Sequence, residues 1–142
     1  MIVMKVHAVI DTNVLISSLI TTNFESPTIS IIREITKGNI VPIYSDYLMT
    51  EYREVLSRSK FKIPDEILER VLKMFIENGL KFEPTDEFVI MPDPDDTPIF
   101  LITMQTRELD SYLVTGNTKH YPAADYVVTP RRMMDILYDS IL

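Results

Sequence analysis

This sequence predicts an α/β domain of three layers, α/β/α, with a central parallel sheet. Three observations carry the expectation. Short apolar strands and helical patterns alternate in the order β-α-α-β-α-α-β-α-β-β-α, the pattern of a parallel sheet covered on both faces. The first strand, KVHAVI over residues 5–10, places Val6, Ala8 and Ile10 on one face and a valine on the other, as a buried parallel strand does. Asp11 and Asn117 follow strands at their carboxyl ends, where open parallel sheets bind ligands.

The elements read as follows. Asp11-Thr12-Asn13 offers cap chemistry to a short apolar helix from Val14 to Ile20. After the loop TTNFES, Ser26-Pro27 starts a helix through Ile31, Ile32 and Ile35 that stops at Gly38-Asn39. Ile40 to Tyr44 form the second strand. Ser45-Asp46 caps a helix from about Tyr47 to Arg58, and another from about Pro64 to Asn78 carries Ile67, Leu68, Val71, Leu72, Phe75 and Ile76 at helical spacing. Gly79 ends it, and a short extended piece follows. The acidic loop PDPDDTP opens the next helix at Thr97-Pro98; strand SYLVT (111–115), an extended piece from Tyr126 to Thr129 and a last helix from Pro130 to the C-terminus complete the chain.

All 142 residues read as one domain, with 46 % hydrophobic content to bury a core and no repeat or flexible linker dividing them. No segment approaches the roughly 18 uninterrupted apolar residues that a membrane helix needs, and the opening MIVMKVHAVI reads as structure rather than a secretory signal. The absence of cysteine excludes disulfides, thiolate zinc sites and cysteine nucleophiles, and is compatible with a cytoplasmic location. A net charge of −7 argues mildly against a polyanionic partner, unless gathered carboxylates hold cations that reverse the local field. Two stretches are basic: Arg53 to Lys62, with Arg58 and Lys60 between, and Lys119-His120 with Arg131 and Arg132 nearby.

Three groups of acids are candidates for chemistry. Asp11 either caps the next helix or faces a crevice shared with Asn117, if their strands are neighbours; Asn117 otherwise shapes a turn after Gly116. Glu51 lies within about 40° of Tyr47 and Val55 on a helical wheel, at the edge of the apolar stripe, where a carboxylate needs a partner. Its alternatives are a salt bridge to Arg58 or plain exposure. Asp93, Asp95 and Asp96 fall together before a helix start; capping accounts for one, and three together suit a hard cation. The spacing is not that of an EF-hand loop. His7, inside the first strand, reads as structural, as do the eight methionines, which fill core gaps or a subunit contact.

These residues resemble the PIN-domain family, in particular its branch of toxins from toxin–antitoxin systems. The resemblance spans almost the whole length in family order: VIDTNVLIS at 9–17, MTEYREVLSR at 49–58, DPDDTPIFL at 93–101, YLVTGNTKHYP at 112–122 and VVTPRRMMDIL near the end. It implies a nuclease dependent on Mg²⁺ or Mn²⁺ that acts on RNA, with Asp11, Glu51 and Asp96 as its catalytic acids and Asp93 as an accessory metal ligand. Asn13 and Thr115 have the chemistry to hydrogen-bond ligand carboxylates. Asn117 stands where most of the family has a fourth acid, leaving one negative charge fewer for a second ion. Lys119, His120 and Arg53 are candidate RNA contacts. An antitoxin protein and a homodimer are the implied protein partners.

Two other enzyme or signalling classes begin with a strand-end aspartate. A haloacid-dehalogenase-type phosphotransferase needs a second aspartate two residues later, where this chain has Asn13; a response-regulator receiver needs an acidic pair, and Asp11 has no acidic neighbour. The alternative within the family is a PIN fold too weak in metal to cleave, kept for binding RNA or protein.

Overall fold

Every strand of the central sheet runs parallel to its neighbours. In the computed structural model, which describes residues 5–139, five strands lie in the order β3-β2-β1-β4-β5. They are β1 (Val6–Ile10), β2 (Ile40–Tyr44), β3 (Leu80–Lys81), β4 (Tyr112–Val114) and β5 (Val127–Val128). Helices α1 (Thr12–Ile20) and α2 (Pro27–Thr36) join β1 to β2, and α3 (Asp46–Leu56) and α4 (Asp65–Asn78) join β2 to β3. Helix α5 (Thr97–Gln105) leads into β4, and α6 (Pro130–Asp139) follows β5. The arrangement is the three-layer α/β/α fold expected from the sequence, with the same order of elements. The chain positions of residues 1–4 and 140–142, part of the expected first segment and last helix, lie outside the described residues.

The sheet grows from β1 through β2 to β3 in one direction, then resumes on the other side of β1 with β4 and β5. In open parallel sheets such a reversal is the place where connections splay and ligands bind, beyond the carboxyl ends of the two strands, here β1 and β4. Strand β1 sits at the centre, so Val6, Ala8, Val9 and Ile10 are all buried. Its apolar character on both faces follows from that position. Ile10 pairs with Val114, and the Asp11 N–H continues the ladder by donating to the Val114 carbonyl at 2.9 Å.

Local signals set most boundaries. Ser26 and Ser45 accept hydrogen bonds from the backbone N–H of Thr28 and Leu48, capping α2 and α3. Gly38, at φ +82°, takes the left-handed conformation that stops α2. Helix α3 ends at Leu56, two residues before the expected Arg58, because the last turn tightens and Arg58 itself is extended. Helix α1 begins at Thr12, two residues before the expected Val14, with only Asp11 between it and β1. Met133 of α6, one of the methionines expected to fill core gaps or a subunit contact, is buried within the chain together with Leu137, and α2 is the helix's neighbour.

Gly79, between α4 and β3, meets a different demand. A Cβ there would stand 2.4 Å from both the Phe75 and Pro42 carbonyl oxygens, so the absence of a side chain lets α4 turn directly onto β2. Gly79→Ala is expected to destabilise the fold by about 1–3 kcal/mol, measured by urea unfolding. An unchanged midpoint would contradict this close approach.

Candidate metal centre

Asp11 occupies the N-cap position of α1, yet its side chain makes no capping hydrogen bond. Its Oδ2 instead accepts from Thr115 Oγ1 at 2.8 Å and from the Tyr121 hydroxyl at 3.0 Å. Thr115 follows β4 directly, and the pairing of β1 with β4 is what sets it beside Asp11. Asp11 is 8 % exposed, a burial that costs an anion several kcal/mol unless donors or a cation face it.

Helix α3 brings the second acid. Thr12 donates to Glu51 Oε2 at 2.5 Å, and the next residue, Tyr52, donates its hydroxyl to the Ile10 carbonyl. Consecutive residues of α3 therefore grip the two residues flanking Asp11. Tyr52 is fully buried and lies edge-to-face on Phe75 of α4, with ring centroids 5.5 Å apart. The alternative partner for Glu51, Arg58, pairs with Glu54 at 3.0 Å.

The acidic loop separates its three carboxylates by role. Asp93 Oδ1 accepts from the Asp95 N–H and caps a single helical turn, Pro94–Asp96, while Asp95 is exposed. Asp96 stands at the N-cap position of α5 but makes no capping bond. Its Oδ2 is buried without a hydrogen-bond partner, and His120 Nδ1, 3.7 Å away, is beyond hydrogen-bond reach.

The remaining candidates surround these three. Thr115 Oγ1 accepts from the Asn117 N–H at 3.1 Å while donating to Asp11, and Asn117 is half-buried beside it. Asn13 Oδ1 accepts from the Gly116 N–H at 3.2 Å, so its side chain ties down the loop after β4 rather than touching a carboxylate. Lys119 and His120 are exposed on the turn Thr118–His120. Arg53 projects from the exposed side of α3, where its guanidinium is bound to Glu69 of α4. Sequence patterns singled out neither Tyr52 nor Tyr121. Tyr52 was accessible to that reasoning, since it shares the buried i, i+4 stripe of Leu48 and Leu56.

The acids feel one another. Burial, then the charges of Asp11 and Asp93, raise the Asp96 carboxyl from 3.8 to about 6, against a smaller opposing effect of His120. Burial raises Glu51 too, with Asp11 adding and the Thr12 hydrogen bond opposing. The Tyr52 and Tyr121 phenols are pushed up by burial and then by Asp11. Among the described residues no group of three or more Asp, Glu or His side chains converges closely enough to hold a metal ion as it stands. The donor set nevertheless fits a hard cation: carboxylate oxygens in mutual repulsion, one of them buried and unpartnered. That orphaned oxygen weighs more than the lack of convergence, because carboxylate rotamers adjust by small rotations whereas an unpaired buried charge keeps its cost.

A family model described as PIN domain matches residues 7–119, a span holding Asp11, Glu51, Asp93, Asp96, Thr115 and Asn117. Comparison with the curated proteins and with the solved structures finds no match.

Raised acids make the metal-free fold pH-dependent. Asp96 binds its proton more tightly folded than unfolded, so its contribution is fully present below about pH 4 and is lost as pH rises through about 6. In EDTA, Asp96→Asn is expected to stabilise the protein by about 1–2 kcal/mol at pH 7, after solvent screening, and by almost nothing at pH 4. Urea unfolding at the two pH values measures this. A variant less stable than wild type at pH 7 would contradict it.

Proposed function

The chain belongs to the PIN-domain family, and from that premise we propose that it is a metal-dependent endoribonuclease, the toxin of a cytoplasmic toxin–antitoxin pair. PIN domains are generally nucleases that use divalent metals, which gives the reading its class. The observation that carries it in this chain is Asp96 Oδ2, buried without a hydrogen-bond partner and within the field of Asp11 and Glu51. Asp11 and Asp96 would hold Mg²⁺ or Mn²⁺, with Glu51 and Asp93 beside them. Such an ion, when bound, acidifies water and neutralises charge on a phosphodiester.

The chain's own residues prepare that chemistry. Thr115 and Tyr121 occupy Asp11 Oδ2, and Thr12 occupies Glu51 Oε2, so each acid keeps its other oxygen for a ligand. Glu51, with its proton affinity raised by burial, suits orienting or deprotonating the attacking water. Asn117 brings an amide where a fourth carboxylate would add charge, which weakens the hold on a second ion. Lys119 and His120 stand exposed to meet phosphates, whereas Arg53 would first have to leave Glu69. The proposed homodimer and antitoxin contacts draw on apolar surface other than the covered face of α6; Phe88 and Ile90 are the most exposed large apolar residues.

Purified protein is expected to cleave single-stranded RNA with Mn²⁺ or Mg²⁺ and to lose that activity in EDTA. Asp11→Asn is expected to lower the rate about 100-fold or more with an unchanged circular dichroism spectrum. Equal activity of the variant would sink the proposal, and RNA binding without cleavage at saturating metal would favour the binding-module reading.

A further inference from the structure

Tyr121 is 3 % exposed at the end of the turn Thr118–His120, and it reaches in two directions. Its ring lies against Phe100 of α5, centroids 6.1 Å apart and planes tilted 31°. Phe100 in turn stacks on Tyr126 at 6.4 Å, and the Arg107 guanidinium lies over that ring at 4.2 Å. The hydroxyl of Tyr121 donates to Asp11 Oδ2. One rigid side chain thus runs from the helix that Asp96 opens to the carboxylate of Asp11.

A buried phenol needs a hydrogen-bond partner, but this one is spent on an oxygen that Thr115 already serves. The duplication has a geometric effect. With one donor, a carboxylate swings about its Cβ–Cγ bond and the hydroxyl follows. Two donors, one after β4 and one from the turn beyond it, fix the position of Oδ2, and with Cγ fixed the direction of Oδ1 follows. Neutral donors achieve this without forming an ion pair that would compete for the carboxylate's charge.

We propose that Tyr121 is a positioning residue: clamped on Phe100, it orients Asp11 so that Oδ1 is presented to the cation at a set spacing from Asp96. The inference rests on the metal-dependent reading above. Loss of such outer hydrogen bonds typically weakens metal binding by about 10- to 100-fold. The effect here falls at the lower end, because Thr115 remains.

The test is Mn²⁺ titration of wild type and Tyr121→Phe, reading free Mn²⁺ by electron paramagnetic resonance, with unfolding midpoints measured in EDTA and in Mn²⁺. Phe keeps the ring contact with Phe100. About tenfold weaker Mn²⁺ binding is expected, together with a midpoint in EDTA close to wild type and a smaller rise on adding Mn²⁺. Cleavage lost by the variant at low Mn²⁺ should return at saturating Mn²⁺. A lower midpoint in EDTA with unchanged affinity would assign the hydroxyl to folding alone and overturn the proposal. Equal Mn²⁺ binding by the two proteins overturns this inference only, whereas a wild type that binds no Mn²⁺ overturns it together with the nuclease reading.

Discussion

The parallel pairing of β1 with β4 is the constraint on which the rest of the site depends. It joins segments whose candidate site residues, Asp11 and Thr115, are 104 positions apart, and it does so in one register, Ile10 opposite Val114. Because side chains alternate along a strand, a slip of one residue would turn Thr115 away from Asp11 and exchange the sides on which Leu113 and Val114 pack. The buried faces of Ile10, Leu113 and Val114 forbid that slip. Core packing and site geometry are therefore specified by the same contacts. The strand order reverses at this pair, and α5 packs on both β1 and β4, which brings Asp96 to their carboxyl ends.

The gathered carboxylates have a cost that the fold carries openly. Glu51 and Asp96 both hold protons more tightly than free carboxyls because burial and Asp11 disfavour their charges. Amides at these positions would carry no charge for burial to disfavour. A local loss of stability of this kind is offset by the buried core around it. Surface ion pairs such as Arg58 with Glu54 contribute little to that balance.

How much was legible in the sequence depended on whether the deciding partner was near or far along the chain. Strand β2 and the start of α2 follow from local pattern, since Ser26-Pro27 caps and turns its own helix whatever surrounds it. Asp11, Asp93 and Asp96 look alike to such reasoning, each an acid before a helical turn. Only Asp93 uses its side chain as a cap, and what separates the others is a pair of hydroxyls from beyond β4 and a pocket without a donor. Glu51 gave the same ambiguity: Arg58 was the local partner, and Thr12, 39 residues away, is the actual one. Tyr121 and Tyr52 carried no local signal of their hydrogen bonds, because a phenol's partner is set by tertiary packing.

The grip of α3 on β1 has a consequence for how such a protein can change. With Tyr52 held to Ile10 and Glu51 to Thr12, the helix cannot rotate or slide without breaking contacts on both sides of Asp11. The frame of the site is thereby uncoupled from one part of its rim, the segment from residue 82 to 92, which contributes no hydrogen bond to this clasp. Sequence drift, insertion or deliberate redesign at the rim can alter what is admitted while leaving the carboxylates where they are.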